Sequence, residues 1–442
     1  MSLFKLLNKK LSRTLFTTPS HGQKSLFSDD LEKFFALDYS EIEGFDNLAD
    51  PKGAILMAQG KASDIYNTQK TFFLTNGSTS GILAIMKTII SKGDKVLAVR
   101  NCHKCVYNGL VLTGASVDWF MPEENEQWGV YTEVDTKKLE STLTLDKYKA
   151  FILTSPTYDG VTSDIERIAD ICRQHGVYLI VDEAHGALYN FSDRLPKTAI
   201  EQGADFSVNS LHKNAGAPNP CALLHMSKDV RGVEWRQLQN SLNLLTTTSP
   251  SYPLLALTEA CIEFLHSEHG KKTINKLLDD IEEFEKFLIP LGWEFLSSAT
   301  DSDITKIVIK KGDMCPKALS DKLFSEFDIE DELVNPGSVL FLTGIGTTKQ
   351  KLDKLKSALK KIEVSEIRQS RDDFQPFPFV KLQPCEAFNR DYDYVNKEDA
   401  LLKVSAKAVI PYPPCSAILY PGEVIQEWHL DYLDENVEVL KK

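Results

Sequence analysis

Lys213 ends the stretch Asp205-Phe-Ser-Val-Asn-Ser-Leu-His-Lys213, and Asp182 ends the earlier run Val177-Tyr-Leu-Ile-Val-Asp182. An acid followed by an amine, each closing an apolar strand-like run, suits the chemistry of pyridoxal phosphate. The amine condenses with the aldehyde to a Schiff base, and the acid keeps a proton on the pyridine nitrogen, so that the ring accepts the electrons of a breaking Cα bond. A lysine serves in this way when desolvation or a nearby positive charge favours its neutral form. A carboxylate at the end of so apolar a run is costly to bury without a partner, and a protonated ring nitrogen would be one. The plainer readings are a strand-end aspartate capping the next helix and an exposed loop lysine.

Two further sites belong with this pair. Asn76-Gly-Ser-Thr-Ser-Gly81 follows a strand-like run and opens a helical one. Small residues there let the backbone approach an anion, with free N–H groups and the hydroxyls of Ser78 and Thr79 pointing at it. A phosphate fits such a turn, although Ser and Thr are also ordinary helix N-caps. His103, in Val99-Arg-Asn-Cys-His-Lys-Cys105, follows another strand end. Its imidazole can stack on a flat ring and carry a proton to a carbanion; a core or surface histidine is the plainer alternative.

Strand ends must hold these side chains. From Thr71 to Met226 short apolar runs alternate with helix-length amphipathic stretches. Candidate strands are Thr71–Thr75, Lys95–Val99, Ala150–Thr154, Tyr178–Val181, Asp205–Asn209 and Cys221–His225, with helical spacing over Thr79–Ser91, Asp164–His175 and Pro196–Gln202. Ile165, Ile168, Ala169 and Cys172 form one apolar helix face. The alternation predicts an α/β fold with a mostly parallel sheet covered by helices. In such sheets ligands collect beyond the carboxyl ends of strands, where Asp182 and the residues before Lys213 fall.

Beyond Pro253 helical spacing runs over Leu254–Leu291, with a break near His269-Gly270. Strand-like Ile304–Ile309 and Val339–Thr343, with helical Pro316–Phe327 and Thr348–Lys361, predict a small α/β domain. A Pro-rich turn at 411–422 marks the last segment. The expected organisation is an N-terminal arm (1–50), a large cofactor-binding domain (51–265), linker helices with the small domain (266–365) and a C-terminal α+β domain (366–442).

The totals narrow the classes. A chain of 442 residues, 42% hydrophobic, can build a large core and a smaller domain. A net charge of −13 argues against nucleic acid or an anionic membrane as partner, since both need clustered Lys and Arg. No run approaches the roughly 18 apolar residues of a membrane span. Eight cysteines are too few for a disulfide framework and point to a reducing, cytoplasmic setting. Cys102-His-Lys-Cys105 has a C-x-x-C spacing but lacks the second pair of a zinc site, so no metal is expected. The first 28 residues hold Lys5, Lys9, Lys10, Arg13 and Lys24 and no acid, a superficial likeness to a transit peptide; an N-terminal arm is favoured.

Longer strings carry a family likeness. They are Asp38-Tyr-Ser-Glu-Ile-Glu-Gly-Phe-Asp46, Thr75-Asn-Gly-Ser-Thr79, Arg100-Asn-Cys-His-Lys104, Ser155-Pro-Thr-Tyr-Asp-Gly-Val161, Val181-Asp-Glu-Ala-His185, Ser210-Leu-His-Lys213, Thr248-Ser-Pro-Ser-Tyr252, Tyr412-Pro-Pro414 and Pro421-Gly-Glu423. In this order they resemble the short ornithine/lysine/arginine decarboxylases, pyridoxal phosphate enzymes of the aspartate-aminotransferase-like fold, over nearly the whole chain. The resemblance implies that Lys213 carries the cofactor, that Asp182 contacts the pyridine nitrogen and that His103 stacks on the ring. It further implies that Ser78, Thr79, Ser210 and His212 hold the phosphate and that Ala184 packs beneath the ring. Thr247 resembles a residue that reaches the phosphate from the second subunit, which implies a homodimer or larger assembly with its active site at the interface. The chain departs from the family at Ser20, at Asn214-Ala-Gly-Ala-Pro-Asn-Pro-Cys221 and at Cys415-Ser-Ala-Ile418.

The implied reaction is decarboxylation of an amino acid to its amine, with lysine, arginine or ornithine favoured. The departures after Lys213 admit a rival on the same scaffold, an aminotransferase or lyase, and a non-catalytic protein that keeps the scaffold is the third reading. Glu332 offers a carboxylate to a distal amine or guanidinium, against the plainer reading of a surface acid.

Overall fold

The computed structural model describes residues 2–8, 14–363, 366–367, 378–410 and 416–441. Seven strands, β1 (Lys70–Leu74), β2 (Lys95–Val99), β3 (Ser116–Phe120), β4 (Ala150–Thr154), β5 (Tyr178–Asp182), β6 (Phe206–Ser210) and β7 (Ala222–Met226), form one sheet. Its order is β1-β7-β6-β5-β4-β2-β3, and it is of the mostly parallel kind expected. All six candidate strands are present, each within one residue of its expected ends. The addition is β3, at the sheet edge, where Ser116, Asp118 and Trp119 are only half-buried. Polar residues are tolerated on such an edge, so no apolar run gave it away. Pro196–Gln202 is a turn rather than a helix, because the Glu183 carboxylate takes the Ala199 N–H (2.7 Å) inside it. The turn at 411–415 lies outside the described residues.

The chain divides into two units. One comprises Met1–Thr88, Val181–Asp280 and Thr343–Lys349. In it β7 runs antiparallel between β1 and β6, with Met226 opposite both Lys70 and Phe206. Every residue of the three strands is buried, as strands covered on both faces require. Helix α1 (Gly77–Ile89) follows β1. A Cβ on its Gly81 would come within 2.9 Å of the Leu74 and Val208 side chains, so glycine lets α1 close onto β1 and β6. The expected break in the long helical region falls at Ser267, between a helix over Tyr252–His266 and one over Glu268–Leu288. A Cβ on Gly270 would lie 2.0 Å from the Phe264 carbonyl oxygen, and Ser267 Oγ accepts the Gly270 N–H at 3.1 Å.

The other unit comprises Ile89–Ile180, Ile281–Leu342 and Gln350–Lys442. Here β2 pairs in parallel with β3 and β4. Helix α2 (Lys104–Thr113) follows β2, and α3 (Ile165–His175) buries Ile165, Ile168, Ala169 and Cys172, the face expected from spacing. Asp164 caps α3 through Arg167 N, and Gly176 ends it with φ +73°. The stretch expected to form a small α/β domain carries a four-stranded antiparallel sheet whose centre pairs Lys306–Lys310 with Val339–Leu342, and its helix Pro316–Phe327 has the expected bounds. A two-stranded ribbon, Tyr392–Asn396 against Asn436–Leu440, shapes the C-terminal part, over a core of Ala400, Leu419, Ile425, Val437 and Val439.

That C-terminal part is fastened by one buried cation. Arg100, just past β2, donates to Glu423 Oε2 (3.0 Å) and to the Ala417 carbonyl, and its guanidinium lies 4.5 Å from the Tyr420 ring centroid. Tyr420 stacks on Tyr107 of α2 at 4.5 Å. The Arg100 and Glu423 side chains are 7% and 2% exposed, and burial pushes the Glu423 carboxyl up against the pull of Arg100. A buried pair gives little net stability, but removing one partner strands the other charge. Arg100→Ala is expected to lower stability by about 3–5 kcal/mol. Arg100→Met with Glu423→Leu should recover most of that loss, as read from urea denaturation midpoints.

Candidate active site

Lys213 sits on the short turn Leu211–Asn214 that leaves β6, and its neighbours come from two other strand ends. The first is the loop after β5. Ser210 N donates to the Ala184 carbonyl (3.1 Å), which ties the end of β6 to that loop just before the lysine. Asn214 Nδ2 donates to the His185 carbonyl (2.8 Å), which ties it again just after. Between these two bonds Lys213 Nζ lies 2.7 Å from His185 Nε2. The second strand end is that of β1, where Ser78 Oγ is 2.8 Å from Ser210 Oγ. Asn214 is wedged from outside: its carbonyl accepts Ile345 N at 3.0 Å, and a Cβ on Gly344 would come within 2.5 Å of that oxygen.

Asp182, Ala184 and His185 are all buried, and Asp182 Oδ1 accepts the Ala184 N–H (3.2 Å), the local bond of a strand-end aspartate. Lys213 and His212 are half-buried. His212 Nδ1 lies 3.1 Å from the Cys221 carbonyl, and burial holds its pKa below the usual histidine range, with the Lys213 charge adding to the effect. Ser78 and Thr79 are half-buried at the start of α1, where Gly77 has φ +73°. Thr247 is exposed, with its Oγ1 3.0 Å from Ser249 Oγ, and it lines a cavity of about 200 Å3 with Phe73, Gln239 and Asn243.

His103 belongs to the other unit. It caps α2, its Nδ1 accepting the Cys105 N–H (3.2 Å), which places the ring proton on Nε2. Cys102 and Cys105 beside it are buried, and no cluster of His, Cys, Asp and Glu suited to a metal occurs among the described residues. Glu332 is half-buried in the same unit and accepts the Tyr158 hydroxyl, which makes it a partner of the Ser155–Val161 string rather than a bare surface acid.

Sequence reasoning missed a buried polar network behind the strand ends. Along β5 and its exit successive side chains alternate, so Glu183 turns away from the Asp182 side. Its carboxyl takes Ala199 N (2.7 Å) and Asn209 Nδ2 (3.1 Å). Asn209 Oδ1 then meets His225 Nε2 (2.9 Å), and His225 Nδ1 meets Thr71 Oγ1 (2.9 Å). Since Asn209 Oδ1 can only accept, His225 carries its proton on Nε2 and takes one from Thr71. Burial pushes Glu183 up to about 8, with Asn209 and Ala199 opposing, and pushes His225 down to about 3. At neutral pH both are therefore uncharged, the cheapest state for a buried network.

With this geometry in hand, the relatives are informative. The sequence signature described as "Orn/Lys/Arg decarboxylase, major domain" matches residues 3–354, and "Orn/Lys/Arg decarboxylase, C-terminal domain" matches 368–442. The chain belongs to the Orn/Lys/Arg decarboxylase family. It is 29% identical to an arginine decarboxylase of Bacillus subtilis over 460 residues, covering 99% of this chain and 93% of that one. A Bacillus anthracis arginine decarboxylase is 29% identical over 448 residues, 96% of this chain and 90% of the relative. Among solved structures, the Francisella novicida lysine decarboxylase superposes with a TM-score of 0.84 at 21% identity, over 99% of this chain and 80% of that one. A Nostoc alanine–glyoxylate aminotransferase shares the fold more distantly, with a TM-score of 0.55 at 18% identity over 71% of this chain and 88% of that one. The family's fold is thus the aminotransferase-like one.

The Glu183 network sets a pH dependence of known sign. An unfolded glutamic acid titrates near 4.3, so the stability that Glu183 adds is complete below that pH and is lost as pH rises through about 8. For His225 the sign reverses: its contribution is present above about 6.5 and is lost as pH falls toward 3. Glu183→Gln should therefore flatten the alkaline limb. Between about pH 6 and about pH 9 the wild-type Tm is expected to fall more than that of the variant, as scanning calorimetry would register.

Proposed function

We propose that this protein is a pyridoxal phosphate-dependent decarboxylase that converts a basic amino acid, namely arginine, lysine or ornithine, to its amine. The observation that carries the reading is the lysine just after β6, on a turn whose flanking residues Ser210 and Asn214 each donate a hydrogen bond to the loop after Asp182, in a chain that matches this family over residues 3–354 and 368–442. The names of the relatives, arginine and lysine decarboxylases, support a basic substrate.

The donor set suits the cofactor. Two hydroxyls 2.8 Å apart, from Ser78 and Ser210, stand beside the start of a helix opened by glycine, as a phosphate requires. A buried carboxylate at Asp182 and an amine at Lys213 answer the ring nitrogen and the aldehyde. Pyridoxal phosphate supplies the aldehyde and an electron-accepting ring.

The chain's own residues then divide the work. Lys213 would hold the cofactor through its amine, and its Nζ is one candidate proton donor to the substrate Cα. Asp182 would pair with the ring nitrogen and favour its protonated form. His103, by the family's Arg-Asn-Cys-His-Lys string, would stack on the ring and is the second candidate donor. Ser78, Thr79, Ser210 and His212 would hold the phosphate, Ala184 would pack beneath the ring, and Thr247 would reach the phosphate of a second subunit in a cytoplasmic homodimer. The cofactor would supply the electron-accepting ring, and the residues that orient the substrate's carboxylate would select decarboxylation from the other reactions it supports.

Purified protein supplied with cofactor and carboxyl-labelled arginine, lysine, ornithine and a wider amino acid panel is expected to release labelled carbon dioxide from a basic substrate. Keto acid or ammonia without carbon dioxide would point instead to an aminotransferase or lyase. Asp182→Asn should keep the borohydride-fixed adduct on Lys213 yet lower kcat by about 10²–10³, the scale of losing one pre-positioned electrostatic partner.

A further inference from the structure

We infer that His185 is the proton acceptor that frees the Lys213 amine for bonding to an aldehyde, a positioning role that acts through the lysine and rests on the function proposed above. The pair is set by geometry. Lys213 Nζ and His185 Nε2 are 2.7 Å apart, within the range of a charge-assisted hydrogen bond. An ammonium has three donors and no lone pair, so opposite a charged lysine Nε2 must be the unprotonated nitrogen. Two cations at this separation exclude one another, and the pair therefore holds one shared proton.

The backbone makes this meeting obligatory. The Ser210 N to Ala184 O bond precedes the contact by one residue on the histidine side, and the Asn214 Nδ2 to His185 O bond follows Lys213 directly. The loop itself has no slack. Gly186 N donates to Glu183 O (2.9 Å), and a Cβ on Gly186 would come within 2.6 Å of Glu183 Cγ and 2.9 Å of the Tyr189 ring. His185 is 4% exposed, so its ring cannot swing out to water. The titratable neighbours on these elements are otherwise engaged. Glu183 faces Ala199 and Asn209, His212 faces the Cys221 carbonyl, and Asp182 accepts the Ala184 N–H.

The proton step balances without any outside reagent. One N–H bond of the Lys213 ammonium breaks, one N–H bond forms at His185 Nε2, and the electron pair left on Nζ becomes the nucleophile. When that pair attacks an aldehyde carbon, the carbonyl oxygen leaves as water, taking up the second Nζ proton and the one stored on the imidazole. Nε2 is then ready to accept again.

The test measures covalent capture, not turnover. Full-length cofactor-free protein is mixed with pyridoxal phosphate, quenched with borohydride at intervals, and the adduct on Lys213 is quantified by peptide mass spectrometry at several pH values. His185→Gln keeps the size and polarity of the side chain but cannot take a proton. The variant is expected to form the adduct about ten-fold or more slowly than wild type near pH 7, the lower end of what a positioned base contributes. Near pH 10, where a lysine amine loses its proton to water, the two rates should converge to within about two-fold. Equal rates and equal pH profiles for both proteins would overturn the inference. No wild-type adduct at any pH would sink the proposed function itself, a distinct outcome. Should His185→Gln fail to fold, Lys213→Met gives the reciprocal readout. With the neighbouring charge gone, one histidine NMR titration should move to higher pH, and an unchanged set of histidine titrations would equally overturn the pairing.

Discussion

The Ser210 N–H to Ala184 O hydrogen bond is the constraint on which the site depends. It joins the ends of β5 and β6 at the point where the first has just delivered Asp182 and the second is about to deliver Lys213. A main-chain bond of this sort contributes only about 1 kcal/mol to stability, yet a displacement of an ångström at a reacting atom costs orders of magnitude in rate. Its worth is therefore positional. The close packing of α1 through Gly81 has the same character, since it sets Ser78 against Ser210 and so brings a third strand end to the same place.

Adjacent acids with opposite fates show how the strand geometry sorts chemistry. Asp182 and Glu183 differ by one methylene and one position, and the two-residue period of a strand sends them to opposite sides. Glu183 enters a sealed polar network, where desolvation keeps it protonated and Asn209 links it to a neutral His225. That network fixes the Pro196–Gln202 turn and three strands from below without placing a charge in the core. Rigidity behind the strand ends is thus obtained with neutral groups, and Asp182, whose Oδ1 accepts the Ala184 N–H, stands outside that network.

Strand positions were legible because fully buried strands read as uninterrupted apolar runs, and the ends of β2 and β4 came out unshifted. The strand with a polar edge, β3, was not, since its sequence reads as a loop. Asp182, Ser78 and Lys213 were legible as residue types at strand ends. Glu183 and His185 stood in the same string and were passed over, because nothing local distinguishes a buried acid from a helix-capping one. Their partners Asn209 and Asn214 lie on another strand and its exit turn. The Arg100 to Glu423 pair illustrates the same limit: both residues stood in strings noted for family likeness, but only the fold shows that one string is the socket of the other.

The departure after Lys213 acquires a physical meaning from this arrangement. Asn214 stands where the chain leaves the family's usual string, and its amide is engaged within the site, on the His185 carbonyl. A side chain that holds the histidine's backbone cannot be exchanged independently of the histidine's ring contact, so the two residues form a single device around the lysine. The altered string therefore bears on how Lys213 gives up and regains its proton rather than on whether the amine and the acid are present. Among the departures it is Asn214 that the hydrogen bonds tie to the surroundings of Nζ, through the backbone of the histidine that Nζ meets.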